Sequence, residues 1–261
     1  MIKQLSISLG NYIIEMLYFL GGLATLSTQA FYWTFQPPFK KERLIQQINK
    51  IGADSLPIVS LVAIFIGIIL ALQTAVQMQR LGSEMYIASI VSVSVVREMG
   101  PVLTSLIVAG RCGASITAEI GTMTVTEQID ALQTFATNPV QYLVVPRYLA
   151  AMFMLPILTL YADIIGIIGG YLICVNKLNI ASTMYLHITF DALLMKDLVT
   201  GLLKSMVFGM IIAFVGCYEG FNVKGGAEGV GMATTSSVVK SFIMIIAADC
   251  FFTALFYFIF P

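Results

Sequence analysis

The sequence predicts an all-α, polytopic membrane protein with five transmembrane helices, an N-terminal interfacial helical segment and one short cytoplasmic helix. Three observations carry this. Hydrophobic residues make up 58% of the chain and charged residues only 11%, where soluble domains carry about 25% charge. The mean hydropathy is +0.91. Apolar stretches recur at lengths that suit a bilayer, which needs about 20 residues per helix. No linker or repeat divides the chain. Residues 1–261 therefore read as a single membrane domain, with interfacial and amphipathic helices over 1–52 and a transmembrane core over 53–261.

The elements follow in order. Residues 5–35 are apolar, with Glu15 the one charge, and Gly10, Asn11, Gly21 and Gly22 interrupt them. They read as a helix in the membrane interface, with a true span as the alternative. Tyr32, Trp33 and Phe35 suit an interfacial belt. Lys40-Lys41-Glu42-Arg43 and Lys50 surround Leu44, Ile45, Ile48 and Ile51 at helical spacing, the pattern of a basic amphipathic helix on a cytoplasmic surface. The first span runs from Leu56 to Gln79, with Asp54 or Ser55 as its cap and Pro57 in its first turn.

Residues 85–121 would reach about 55 Å as one helix, beyond what a bilayer needs. Gly100-Pro101 predicts a break, with 85–99 entering partway and 101–121 returning. Ala109, Gly113, Thr117 and Gly121 recur every four residues and predict close helix approach. Thr124-Val-Thr-Glu127 reads as a capping box opening a short helix over 125–134. That helix has an apolar stripe of Val125, Ile129 and Leu132 and a polar face of Glu127, Gln128, Asp130 and Gln133. Asn138-Pro139 makes a turn. Further spans are expected over 148–176, 198–218 and 241–260. A polar excursion holding Lys177, His187, Asp191 and Lys196 separates the first two, and a Gly-rich loop over 220–231 the last two. Five spans put the N-terminus inside and the C-terminus outside.

Several chemistries are disfavoured. The formal net charge is +0, so nothing points to nucleic acid. A single histidine, His187, excludes HExxH zinc chemistry. There is no GxxxxGK[ST], hence no P-loop in this chain. Cys112, Cys174, Cys217 and Cys250 are scattered and read as small buried apolar residues. No short cleavable signal is evident, since the apolar N-terminal stretch runs on into structured sequence.

The candidate sites are charges in apolar context. Arg97 and Glu98 are adjacent, so they point about 100° apart and each needs another partner. Arg97 could grip a phosphate by forked hydrogen bonds, or the pair could only brace the break. Arg111 and Glu119 read as braces. Asp163 and Asp249 could carry protons, or hydrogen-bond to Ser, Thr or backbone across a helix contact. The short helix at 125–134 could be a plain connector, or could dock an ATPase and transmit its motion.

Several runs resemble the MlaE/YrbE family of permeases. They are Arg97-Glu-Met-Gly-Pro-Val-Leu-Thr-Ser-Leu, Ala109-Gly-Arg-Cys-Gly-Ala, and Ala118-Glu-Ile-Gly-Thr-Met-Thr-Val-Thr-Glu-Gln-Ile-Asp-Ala-Leu132. Asn138-Pro139, Tyr142-Leu-Val-Val-Pro-Arg147 and Gly220-Phe…Gly225-Gly-Ala-Glu-Gly-Val-Gly231 agree. The likeness covers roughly residues 50–260. It implies the permease subunit of an ABC-type transporter moving phospholipid between membranes. It also implies a homodimer, two cytoplasmic ABC ATPase subunits that bind the ATP and magnesium, and an MCE-domain protein on the far side. The chain itself would need no cofactor. The membrane would be a bacterial inner membrane or a plastid inner envelope. Carried over by motif, Glu127, Gln128, Ile129, Asp130, Ala131 and Leu132 would couple to the ATPase, and Leu70, Arg97 and Glu98 would lie at the lipid cavity. Charged residues at both Ile129 and Leu132 are then expected to uncouple ATP use without unfolding the spans. The runner-up reading is a proton-coupled carrier that needs no ATPase.

Overall fold

The computed structural model describes residues 2–37 and 41–259. Lys40 of the basic cluster and Phe260 at the expected end of the last span lie outside them. Eleven α-helices account for most of the described chain. They are α1 (Ile2–Thr34), α2 (Lys41–Ile51), α3 (Leu56–Arg80), α4 (Ile87–Ser94), α5 (Gly100–Val108) and α6 (Ala114–Val125), then α7 (Gln128–Thr134), α8 (Val145–Asn176), α9 (Ser182–Ala192), α10 (Met195–Phe221) and α11 (Gly226–Ile259). Five helical stretches among the described residues are long and apolar enough to cross a membrane: Lys41–Arg80, Glu84–Val125, Val140–Asn176, Met195–Phe221 and Gly226–Ile259. The all-α, five-span expectation is met.

α1 is one unbroken helix. Its glycines do not interrupt it, and Gly22 lets the Tyr218 ring of α10 lie against the backbone. Leu26 and Ala30 are buried, and Thr34 shares a hydrogen bond with the Tyr148 hydroxyl of α8. α2 forms over the predicted segment and packs along α8. Its cations are largely engaged within the chain. Arg43 bonds to the Tyr142 hydroxyl and Lys50 pairs with Glu119.

The largest departure concerns Gly100-Pro101. No break occurs. Residues Glu84–Val125 run as one continuous helical stretch, with π-helical turns at Val95–Met99 and Ala109–Gly113. A wide turn of this kind takes up an irregularity without ending the helix. Pro101 sits just after the first π turn, in the opening turn of α5. The stretch is about 63 Å long at 1.5 Å per residue, so it outruns the roughly 30 Å hydrocarbon layer.

The Gly-rich loop is also shorter than expected. α10 continues to Phe221 and α11 opens at Gly226. Only Gly225 and Gly226 adopt the left-handed backbone, with φ of +91° and +71°. Gly229 and Gly231 enter the first turns of α11, and Gly220 belongs to α10. The polar excursion contains a further helix, α9, which packs on α4 and α8. Its Tyr185 is fully buried, and burial pushes that phenol well above its ordinary pKa.

α8 and α10 form the centre, and glycine sets their distance. A Cβ on Gly209 would lie 2.5 Å from the Ala151 carbonyl oxygen. α3 meets α8 in the same way, since a Cβ on Gly67 would lie 1.9 Å from the Gly166 carbonyl oxygen. The small-residue face of α6 is used within the chain. Thr117 Oγ1 donates to the Gly216 carbonyl at 3.1 Å, and Gly113 and Gly121 take Ile212 and Val223 of α10 and the turn after it. That face is therefore closed to a second copy. Cys112, Cys174 and Cys217 are buried as expected, whereas Cys250 is exposed on α11.

Gly209→Leu should drive a side chain into the Ala151 backbone, at a cost of about 1–3 kcal/mol or more. Gly110 faces open space, so Gly110→Ala should be nearly neutral. Thermal unfolding of the two variants in detergent measures the difference.

Candidate functional site

The π turn at Val95–Met99 presents Arg97 and Glu98 to α10 and α11. A proline donates no backbone hydrogen bond, so Pro101 removes one donor just after a turn in which Gly100 N–H already reaches back to the Val95 oxygen. In an apolar surrounding the backbone carbonyls of such a turn draw on other donors. Lys204 of α10 supplies one, with Nζ donating to the Arg97 oxygen at 3.4 Å. Gly201, one turn earlier on α10, makes room: its Cβ would stand 2.5 Å from the Val96 oxygen.

Lys204 is the hub. Its side chain is only 3% exposed. Nζ donates to Glu98 Oε2 at 2.8 Å and to Thr253 Oγ1 at 2.7 Å. Thr253 in turn donates to Glu98 Oε1 at 3.2 Å. Asp249 Oδ1 lies 2.9 Å from the same ammonium, at an angle that makes it an ion pair rather than a directed hydrogen bond. Asp249 thus has a cation across the helix contact, and its expected Ser, Thr or backbone partner is corrected. Arg97 turns the other way. Its Nε stands 3.6 Å from Asp197 Oδ1, and its side chain remains 51% exposed. Asp197 also accepts the Leu194 N–H at 3.3 Å, closing the start of α10. The cluster pairs two cations with three carboxylates and leaves one guanidinium edge open.

Leu70, expected at the site, and Asp163, a separate candidate, both lie elsewhere. Leu70 does not join the cluster. It packs against the apolar group of Ala71, Ala75, Ile87, Val91 and Tyr185. Asp163 is 3% exposed and presses on the Gly100 backbone, where a Cβ would lie 1.8 Å from its Oδ1. That oxygen has no hydrogen-bond partner among the described residues.

Lys204, Asp197 and Thr253 went unremarked in the sequence. Lys204 had a usable signal: a lysine in the middle of an apolar span is expensive and marks a functional position. Thr253 had none, because a threonine in a helix is unremarkable until its neighbour is known.

The second candidate lies at α7. The capping box does not form. Thr124 belongs to α6 and its hydroxyl bonds to the Ile120 and Gly220 carbonyls, both at 2.9 Å. Glu127 precedes α7 in a left-handed conformation, φ +58°, without a side-chain cap. The apolar stripe is also revised. Val125 ends the preceding helix and is exposed. Ile129 is 9% exposed and Leu132 packs beside it in the main core. Glu127, Gln128, Asp130 and Ala131 face outward, and Phe135 just beyond them is 80% exposed. A charge at Ile129 would therefore disturb the core, contrary to the expectation from sequence.

The model of the permease MlaE family matches residues 44–255. The chain belongs to the MlaE permease family. The match spans both candidate sites. A probable ABC transporter permease protein from Rickettsia felis is 45% identical over 257 residues, covering 98% of this chain and 99% of that one. Similarly named proteins from Synechocystis and Porphyra purpurea are 39% identical over 226 residues and 42% identical over 196. They cover 87% and 75% of this chain, and 86% and 74% of their own. Membership in this family and the five long apolar helices make the chain a multi-pass membrane protein.

Lys204→Met would leave Glu98, Asp249 and the Arg97 carbonyl without their cation. The expected loss is about 2–4 kcal/mol, since a broken buried pair strands the remaining charges. Adding Asp249→Asn should restore part of it, and a double-mutant cycle on unfolding measures the coupling.

Proposed function

We propose that the chain is the membrane permease subunit of an ABC-type transporter that moves phospholipid. It works as a homodimer with two copies of a separate cytoplasmic ATPase, and exchanges lipid with an MCE-domain protein on the far side. The ATPase binds ATP and magnesium; this chain needs no cofactor of its own. The setting is a bacterial inner membrane, with a plastid inner envelope as the alternative. The names of the relatives support the transporter class. One observation carries the lipid assignment: a half-exposed guanidinium, Arg97, held beside a buried ion cluster on an otherwise apolar helix. Such a group binds phosphate by forked hydrogen bonds. The exposed apolar residues of α11, among them Ile243, Ile246, Phe251 and Leu255, suit acyl chains or the second copy.

In this reading the headgroup competes with Asp197 for Arg97. Glu98 and Lys204 hold the π turn in place while it does so. Leu70, in the neighbouring apolar group, lines the acyl end. α7 receives the ATPase stroke through its outward face of Glu127, Gln128, Asp130, Ala131 and Phe135, while Ile129 and Leu132 root it in the core.

Native mass spectrometry of the chain purified with its genomic neighbours in nanodiscs tests the assembly. Two copies, two ATPases and retained phospholipid are expected, with lipid occupancy reduced by Arg97→Ala. A lone chain without ATPase or lipid would instead favour a proton-coupled carrier. Asp163, buried with its Oδ1 unpaired among the described residues, is a residue that reading would use.

At α7, Phe135→Ala should weaken ATPase association about 10- to 100-fold, as loss of an exposed aromatic anchor does. Ile129→Glu should instead cost about 3 kcal/mol or more of stability by burying a charge. Co-purification and thermal unfolding separate the two. ATPase binding unaffected by Phe135→Ala would remove that residue from the interface.

A further inference from the structure

α2 is fastened at both ends to the two roots of the hairpin that carries α7. At its N-terminal end, Arg43 donates to the Tyr142 hydroxyl, and its guanidinium carbon lies 3.6 Å from the centre of the same ring. Tyr142 belongs to the π turn Val140–Val144, through which the chain leaves α7 and enters α8. At its C-terminal end, Lys50 pairs with Glu119 of α6, the helix that leads into α7. The second oxygen of Glu119 holds Arg147 of α8 at 2.9 Å. Arg111 donates to the Lys50 carbonyl and to Ser55 Oγ, with Nη2 at 2.9 Å. Gln141 adds a bond to the Gln36 carbonyl at 2.8 Å, just before α2. Arg111 and Glu119 therefore never meet each other. Each reaches back to α2 or to the turn that follows it.

We propose that α2 is a mechanical strap. It joins the incoming and outgoing roots of the α7 hairpin and passes any displacement of α7 to α3, which follows after the short turn Ala53–Ser55. A half-buried ion pair and a cation–π contact are each modest. Set at opposite ends of one rigid helix, they leave the hairpin no independent hinge. Two of the three described cations of α2 are committed to these ties, so the helix is held by the protein and not chiefly by lipid headgroups. The direction of force rests on the reading of α7 as the ATPase-docking element; the strap itself does not.

The test places spin labels at Gln46→Cys and Thr134→Cys, both exposed, in a Cys250→Ser background in nanodiscs. The parent chain should give one narrow distance distribution. Arg43→Met with Lys50→Met keeps the apolar stems but cuts both ties, and should broaden it. Arg43→Lys with Lys50→Arg should keep it narrow. Arg43→Met alone, which leaves the α6 ties whole, covers the case in which the double variant does not fold and should broaden it partially. A narrow distribution with the ties removed overturns the strap. In the complex with the ATPase, the double variant should lose about tenfold in ATP-driven lipid transfer while hydrolysis persists, as a broken coupling between sites predicts. Absence of ATP-driven transfer in the parent complex would overturn the lipid-permease reading, and the distance measurement would still decide the strap.

Discussion

A single buried ammonium organises the centre of this molecule. Lys204 is almost wholly enclosed in an apolar span, where a charge is costly and no bulk water is at hand to solvate it. It donates to the Arg97 carbonyl four residues before Pro101, and its charge has to be neutralised. Glu98 and Asp249 do so from two other helices. The requirement created by one lysine thus ties the Glu84–Val125 stretch to α10 and α10 to α11. Gly201 allows the approach that makes it possible.

The same economy of space governs the rest of the bundle. With apolar lipid outside, helices gain little from hiding apolar side chains from one another, and contact depends on close packing. Gly67, Gly166 and Gly169 bring α3 onto α8, and Gly209 brings α10 onto α8. The α6 face of small residues is consumed by α10. The surfaces left over are the large apolar faces of α1, α3, α8 and α11. A homodimer interface or bound lipid would have to use those.

Much of the candidate site was legible as residues and little of it as contacts. Arg97 and Glu98 stood out because charge is rare in an apolar stretch. Their partners lie 100 or more positions further on, and no local spacing connects them. At α7 the motif located the element and its two faces, but what covers the apolar one, Ile129 and Leu132, is the chain's own core and not a docking partner. The capping-box pattern suggested a helix starting at Val125, whereas α6 runs through Thr124 and Val125 to reach the Gly220 carbonyl. Ile129 and Leu132 share a face wherever the helix starts, and spacing alone does not say whether that face meets a partner or the chain's own core.

The sequence by itself determined the class of molecule, the number of apolar stretches and the amphipathic helix before the first span, because these depend only on composition and periodicity. It also located the π turn, though as a break, since a Gly-Pro pair is locally the signature of one. Only the tertiary structure decided that the helix continues, that Lys204 supports it, and that Arg111 and Glu119 serve α2 rather than each other. The reason is the same in each case. A buried charge states a need that the local sequence reveals, and the packing of distant helices determines which group meets it.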